Sequence, residues 1–259
     1  MAFYLKLIYD VGKQNGGIME DIEKDYLLDK KVVIYHPKGM YKASSDAVWL
    51  ASAVEKVKKG DNILDVGSGG GAVSLCLASR FKENQISITG LELQKELADS
   101  ANASAQANGF DFLTYENCNI YETKLKPCSF AHVITNPPYS LSDMPSPNDS
   151  KATAHNFKFE DLKKWLDFCI KMLRPQGQFY IVNRAEALET IISHISGKLG
   201  AIEVFPLYSK QGQKAKRIII RAKKDSKTPL VIHAPIFVHN EDGGYSDKAE
   251  QILRKGASI

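Results

Sequence analysis

The residues best suited to chemistry in this chain are 135–139, with the sequence Thr-Asn-Pro-Pro-Tyr, which follow a short apolar run typical of a buried strand. Pro137 and Pro138 fix the backbone and remove two N–H donors. Asn136 precedes a proline and is therefore driven to an extended conformation. The result is a rigid corner whose amide and carbonyl oxygens could accept both hydrogens of a planar NH2 group while Tyr139 stacks on its face. The alternative is a proline turn that only caps a strand.

A second candidate site lies upstream, where an apolar strand, residues 62–66, runs into a glycine-rich turn, residues 67–71. Glycines let backbone amides approach a ligand closely, and a turn that opens onto a helix suits anionic groups. NAD sites use such turns too. Here Asp65 stands two residues before the first glycine, where its carboxylate could hold the α-amino group of an amino-acid-like ligand. No Gly-Lys-Ser/Thr follows, which excludes a phosphate-binding P-loop.

A third candidate is Glu92, which ends the next predicted strand, residues 85–91. An acid at this point is placed to accept hydrogen bonds from ribose hydroxyls. The alternative is a helix N-terminal acid that the helix macrodipole stabilises. The glycine-rich turn one strand earlier favours ligand contact.

The elements that must position these residues alternate between strand and helix. Strands are predicted at residues 63–66, 86–91, 112–116, 130–134 and 178–183, and helices at 45–58, 72–80, 94–108, 160–173 and 185–195. This alternation predicts a parallel sheet covered by helices on both faces. Ligands of such sheets bind at the carboxyl ends of the strands. We therefore expect Asp65, the glycine turn, Glu92 and Asn136 to share one rim.

The two ends of the chain depart from the alternation. Residues 26–35 predict an N-terminal hairpin, and residues 201–207 and 217–222 predict an antiparallel hairpin that completes the sheet. The segment 230–238 and a helix at 246–255 follow.

Composition favours an ordinary globular enzyme, with 44% hydrophobic and 25% charged residues. No apolar run approaches the ~20 residues needed to span a bilayer, and Asp10 closes the short N-terminal apolar stretch, which excludes a signal-peptide pattern. The four cysteines show no Cys-x-x-Cys spacing and no His/Cys cluster has ligand spacing. We expect a cytoplasmic protein with reduced thiols, no metal and no membrane contact.

Charge is mildly basic, with a net value of +4. Eight lysines and arginines lie between Lys210 and Lys227, and the only acid in that span is Asp225. This basic stretch is either a solvated hairpin face or an edge that contacts phosphates, which would make RNA binding salt-dependent.

Three motifs carry a family resemblance: Asp-Val-Gly-Ser-Gly-Gly-Gly at 65–71, Leu-Glu-Leu-Gln at 91–94 and Asn-Pro-Pro-Tyr at 136–139. In this order they resemble class I S-adenosylmethionine-dependent methyltransferases of the amino-methylating kind. A narrower group contains the bacterial enzyme that acts on N6 of the adenine beside the anticodon of a valine tRNA. The blocks similar to that group lie at residues 41–48, 182–184, 215–219 and 244–246.

The resemblance implies an α/β, Rossmann-like seven-stranded sheet with helices on both faces and a C-terminal antiparallel hairpin. It also implies S-adenosylmethionine as cofactor and a methyltransferase domain over residues 45–259, preceded by an extension and hairpin over 1–44. The implied catalytic residues are Asn136, Pro137, Pro138 and Tyr139. The implied cofactor-binding residues are Asp65, Gly67, Ser68, Gly69, Gly71, Glu92, Leu93, Asn119, Ile120 and Asn136. Many such enzymes have an Asp where this chain has Asn119, whose amide can still bond the cofactor's adenine.

The implied activity is methyl transfer to a planar exocyclic nitrogen, with adenine N6 in tRNA as the first expectation. Four alternatives stay open: guanine N2 of rRNA, a glutamine amide of a protein, adenine of DNA, and a non-catalytic RNA-binding protein with a relic cofactor fold. Residues 140–157, which follow the corner, are either an ordinary surface loop or a lid that the substrate orders.

Overall fold

The computed structural model describes residues 22–40, 44–138 and 159–259. The first part of the chain forms β1 Ile22–Leu27, β2 Val32–Pro37, α1 Ser45–Ser52, β3 Asn62–Val66, α2 Ala72–Phe81, β4 Ser87–Glu92, α3 Lys95–Ala107, β5 Leu113–Asn117 and β6 Phe130–Thr135. The second part forms α4 Phe159–Met172, β7 Leu173–Arg184, α5 Leu188–Ile195, β8 Leu199–Tyr208, β9 Ala215–Lys224, β10 Val231–Ile232, β11 Ile236–Phe237 and α6 Asp247–Lys255.

The main sheet has the strand order β5-β4-β3-β6-β7-β9-β8. Its strands are parallel except β9, which runs antiparallel to both β7 and β8. This confirms the Rossmann-like fold and the C-terminal antiparallel hairpin. The two-residue strands β10 and β11 add to the outer edge of β8, so the sheet contains these in addition to the seven predicted strands.

Helices cover both faces of the sheet. Neighbouring residues of each strand point to opposite sides, so strands that are apolar throughout must be covered on both. Ile63 and Ile134 pack in one buried cluster with α1, α2, α3 and α6. Leu64 and Val133 pack in a second cluster with α4 and α5. Each fully buried aliphatic side chain stabilises the fold by about 1.5–3 kcal/mol. The prediction of helices on both faces is confirmed.

The N-terminal hairpin of β1 and β2 lies outside the main sheet and packs on α3. Asn108 at the end of α3 accepts a hydrogen bond from Val33 N at 2.9 Å and donates one to Val33 O at 2.7 Å. The backbone N–H of Tyr35 donates to Ser104 Oγ at 2.9 Å. Val32 and Ile34 are fully buried in the α3 cluster. The hairpin predicted at 26–35 is therefore present, with strands that extend from residue 22 to 37, while a domain boundary at residue 44 stays a prediction.

The helix predicted at 45–58 is shorter, because α1 ends at Ser52. Ser52 Oγ donates to Trp49 O at 2.6 Å, a contact that competes with helical pairing. Val54 is fully buried, and Lys56 adopts a left-handed backbone with φ +58°. A residue in the left-handed conformation does not continue an α-helix, so the helix cannot extend through Lys56 to residue 58.

Candidate active site

The ends of four parallel strands meet at one rim of the sheet. Val66, the last residue of β3, pairs with Leu91 of β4 and Thr135 of β6. Glu92 pairs in turn with Asn117 of β5. The glycine turn, Glu92, Asn119 and Asn136 all follow or end these strands, so the structure places them on the same rim.

The glycine turn is a compact loop bonded to the neighbouring strand. Gly67 N and Ser68 N both donate to Leu91 O at 2.9 Å. Gly67 and Gly71 have φ values of +70° and +84°. A Cβ atom at residue 67 would lie 2.7 Å from the Trp165 ring, and one at residue 71 would lie 2.3 Å from the Tyr115 hydroxyl. Only glycine fits at either position.

Gly69 differs from these two glycines, because no atom of the described residues lies within 4 Å of the place where its Cβ would stand. Its φ of +55° still favours glycine. The backbone at this point is therefore open for a ligand to approach.

Asp65 is buried below the turn and is 1% exposed. One carboxylate oxygen, Oδ2, accepts from Ser74 Oγ. The other, Oδ1, has no hydrogen-bond partner among the described residues, and neither has the buried Ser68 Oγ. Burial, aided by the charge of Glu92, raises the pKa of Asp65 to about 6. A buried carboxylate short of donors suits a cationic ligand group, which would restore its ionised form.

Glu92 is anchored by two backbone amides. Gly69 N donates to its Oε2 at 2.8 Å and Gln94 N donates to its Oε1 at 2.9 Å. Burial raises the pKa of Glu92, although these amides act against that shift. Two carboxylate oxygens together have four lone pairs, so the group retains acceptor capacity for a ligand hydroxyl.

Near Glu92 lie two apolar side chains, Leu93 and Ile120, and the side-chain amide of Asn119. The Leu93 side chain is 60% exposed, whereas Ile120 is buried. Asn119 Oδ1 accepts from Tyr121 N at 3.1 Å, which orients the amide at the start of the loop. An exposed leucine beside an acid is suited to contact a flat ring whose sugar reaches the carboxylate.

The corner after β6 begins next to Thr135, whose side chain is held by two hydrogen bonds. Thr135 Oγ1 donates to Val66 O at 2.8 Å and accepts from Trp165 Nε1 at 2.9 Å. Beyond it Asn136 and Pro138 are half-buried and Pro137 is buried. Tyr139 and the loop 140–157 lie outside the described residues.

Three residues near the site were missed by sequence reasoning: His36, Tyr115 and Trp165. The Tyr115 hydroxyl donates to Gly71 O at 3.1 Å, and His36 Nδ1 would lie 3.5 Å from a Cβ at Gly70. Trp165 carried a usable signal, because its spacing from the buried Leu162 and Cys169 places it on the inner face of α4. Nothing in the local sequence marks the other two.

The described residues contain no group of three or more His, Cys, Asp or Glu side chains that could hold a metal ion. No helix in the described ranges is long and apolar enough to cross a membrane.

Curated relatives resemble this chain over most of its length. A protein of Dyadobacter fermentans named tRNA1(Val) (adenine(37)-N6)-methyltransferase is 26% identical over 234 residues, which cover 87% of this chain and 94% of the relative. A protein of the same name in Actinobacillus succinogenes is 24% identical, with the same coverage of each chain.

Solved structures share the fold. A predicted O-methyltransferase of Agrobacterium tumefaciens has a TM-score of 0.68 and 24% identity, over 83% of this chain and 98% of that chain. The TYW2 protein of M. jannaschii, solved in complex with AdoMet, has a TM-score of 0.53 and 13% identity, over 78% of this chain and 84% of that one. The methyltransferase domain family matches residues 57–223, which is more than half of the chain, and the protein therefore belongs to that family.

Proposed function

We propose that this protein transfers a methyl group from S-adenosylmethionine to N6 of an adenine in tRNA. One observation carries the proposal: the Asn-Pro-Pro corner and the turn above Asp65 follow directly from two paired residues, Thr135 and Val66. A nitrogen held at the corner therefore lies beside the turn. The names of the two bacterial relatives supply the substrate class.

The rim residues fit the parts of the cofactor. Asp65 Oδ1, which lacks a donor among the described residues, is suited to the ammonium of the methionine portion. Glu92 keeps acceptor capacity for the ribose hydroxyls, and the open backbone at Gly69 admits the chain that joins the two. Leu93, Asn119 and Ile120 would flank the adenine ring. When bound, the cofactor supplies an electrophilic methyl group on its sulfonium.

The corner would activate a poor nucleophile. The lone pair of an aromatic amine is delocalised into its ring. Asn136 Oδ1 and the Pro137 carbonyl would accept its two N–H bonds and align the nitrogen with the methyl group, which is a large entropic advantage. As the bond forms, the nitrogen becomes more positive and both acceptors bind it more strongly, so they stabilise the transition state over the ground state. The surplus proton can leave to water after attack, and no strong base is required.

The proposal also assigns a role to Tyr139 and requires a movement of the target base. Tyr139 would stack on the target base, a contact worth about 1–3 kcal/mol, and the base must leave its stack to reach the corner. With a tRNA substrate, we propose that the enzyme acts in the cytoplasm. We retain the division into a hairpin extension, residues 1–44, and a catalytic domain, residues 45–259.

The test is incubation of the pure protein with labelled S-adenosylmethionine and, separately, total tRNA, rRNA, DNA and protein extract. We expect label in tRNA, and N6-methyladenosine when the nucleosides are resolved by mass spectrometry. Label in guanine N2 of rRNA, in DNA adenine or in a glutamine amide would show that this group, and not tRNA adenine, is the substrate. Absence of S-adenosylmethionine binding by calorimetry would indicate a relic fold and overturn the proposal altogether.

A further inference from the structure

The fold divides the basic stretch between opposite ends of the sheet. Arg217 of β9 pairs with Arg184 at the carboxyl end of β7, whereas Lys223 pairs with Gln178, six residues earlier in that strand. The residues before Arg217 therefore lie at the same end of the sheet as the corner. Those after Lys223 lie at the far end.

Several basic residues of the stretch are held by the protein itself. Arg221 forms ion pairs with Glu203 at 2.6 Å and Glu55 at 2.7 Å. Lys224 donates to the carbonyls of Ile170 and Leu173 at 3.0 and 2.7 Å. These groups stabilise the fold and are not presented to a partner.

The lysines at the near end have a different environment. Lys214 and Lys216 are exposed, and the chain contains no acid between Ser209 and Lys224. Lys210 donates to Glu241 O at 3.1 Å, which ties the β8–β9 turn to the loop before α6. Two solvated ammonium groups thus stand at the catalytic end of the sheet.

An aromatic pair adjoins this turn. The rings of His239 and Tyr245 are stacked, with centroids 5.2 Å apart, and Tyr245 is 39% exposed. His239 N donates to Ser209 O at 3.0 Å, which fixes the pair beside the turn. The loop also contains Glu241 and Asp242, and Asp242 Oδ1 accepts from Gly244 N within the loop itself.

The register of the sheet sets the distance to the corner. Thr135 pairs with Ile181, Ile181 with Ile220, and Ile220 with Val204. Three strand spacings separate β6 from β8, about 15 Å. Tyr208 lies four residues beyond Val204, about 13 Å further along the strand. The turn is therefore about 20 Å from the corner, so RNA that contacts both must extend over that distance from the target base.

We infer that Lys210, Lys214, Lys216, His239 and Tyr245, the turn platform, hold the RNA next to the target base. The exposed lysines contact phosphates, and Tyr245, backed by His239, stacks on an unpaired base of the same loop. Cations and an exposed aromatic ring together are the elements that recognise single-stranded nucleic acid, and anticodon loops present such unpaired bases. The inference rests on the proposed function, because it assumes an RNA substrate.

The test compares two double variants of the full chain that remove the same charge from the same stretch. Lys214→Ala/Lys216→Ala alters the platform, and Lys223→Ala/Lys227→Ala alters the far end. Affinity for a fluorescent anticodon stem–loop RNA is measured by anisotropy from 0.1 M to 1 M salt. Each lost phosphate contact lowers the salt slope by about 0.7, so the platform variant should bind about 25-fold more weakly at 0.1 M and almost normally at 1 M. The far-end variant should match the parent.

Stacking is tested with Tyr245→Ala and the matched Tyr245→Phe, which keeps the ring. The alanine variant should bind RNA about tenfold more weakly and raise KM for RNA, with unchanged affinity for S-adenosylmethionine, whereas the phenylalanine variant should behave as the parent. The inference would be overturned if the two lysine variants bound RNA equally well. It would also be overturned if Tyr245→Ala and Tyr245→Phe had the same RNA affinity and the same KM for RNA. Failure of the unaltered protein to methylate any RNA would overturn the proposed function instead, and the binding titration would still decide the platform.

Discussion

Trp165 and Thr135 are joined by a hydrogen bond of 2.9 Å, in which the indole Nε1 donates to the threonine hydroxyl oxygen. The same hydroxyl donates to Val66 O at 2.8 Å, and the indole ring fills the space against Gly67. One side chain of α4 thus contacts both the start of the corner and the start of the glycine turn. We interpret Trp165 as a positioning residue that keeps the two halves of the site in register.

Replacement of this tryptophan tests the positioning role. Trp165→Phe keeps an aromatic ring against Gly67 but removes the N–H donor, so we expect a loss of about 1 kcal/mol in unfolding free energy. Turnover should fall about tenfold, because small displacements of reacting groups are costly, while KM for RNA stays constant. Denaturant unfolding and steady-state kinetics measure the two effects. A fall in stability with unchanged turnover would show that Trp165 only packs in the core and does not position the site.

Asn136 is expected to act in the chemical step. Asn136→Ala should lower turnover by about 10²–10³, the scale for loss of one preorganised hydrogen bond in catalysis. Affinity for S-adenosylmethionine, measured by calorimetry, should barely change. Asn136→Asp keeps an acceptor oxygen of the same shape and should retain more activity than the alanine variant. Near-normal turnover in Asn136→Ala would show that the corner has no catalytic role.

Cofactor affinity should depend on pH through Asp65, whose pKa is raised to about 6 by burial. Above this value the carboxylate is ionised and can hold an ammonium group. As pH falls through 6 the carboxyl becomes neutral, and affinity for S-adenosylmethionine should fall about tenfold per pH unit. Calorimetry between pH 5 and pH 8 measures the effect. In Asp65→Asn the affinity should be low throughout and lack this dependence.

The same raised pKa has the opposite consequence for stability. Asp65 binds its proton more tightly in the folded than in the unfolded chain, so its ionised form destabilises the cofactor-free protein above pH 6. Asp65→Asn keeps an oxygen for Ser74 and removes this cost. We expect the variant to be more stable than the parent at pH 7.5, by about 1–3 kcal/mol in denaturant unfolding. Equal or lower stability would show that the carboxylate is better solvated than its burial indicates.

Sequence reasoning succeeded where the signal is local. Asp65, Glu92 and Asn136 each lie within one residue of the end of a strand that its own apolar run predicts, and parallel strands bring such ends together. The positions of His36 and Tyr115 beside the glycine turn depend on packing between segments distant in sequence, so no local pattern could predict them. The division of the basic stretch was equally hidden, because it depends on where β9 begins and in which direction it runs. The early end of α1 could not be predicted either, because local helix preference does not show that Lys56 adopts a left-handed backbone.

A buried polar cluster at the opposite end of the sheet should serve stability alone. Asp61 accepts hydrogen bonds from Lys58 N at 2.7 Å, Arg174 at 2.9 Å and His132 Nε2 at 3.2 Å. Burial opposes ionisation of Asp61, but the Lys58 amide and His132 hold its pKa below the usual range. Burial also lowers the pKa of His132 and keeps it neutral.

The stability that depends on neutral His132 is present above its ordinary pKa of 6.5 and is lost as pH falls below that value. Asp61→Ala leaves the His132 ring without this acceptor and should cost about 2–4 kcal/mol in urea unfolding at pH 7.5. His132→Gln, which keeps a donor toward Asp61, should cost less and should flatten the decline of stability between pH 6.5 and pH 5. Neither change should alter the affinity of the folded protein for S-adenosylmethionine, because Asp61 directly precedes β3 and His132 lies in the first half of β6, both away from the rim. A matching loss of cofactor affinity in Asp61→Ala would show that the two ends of the sheet are coupled.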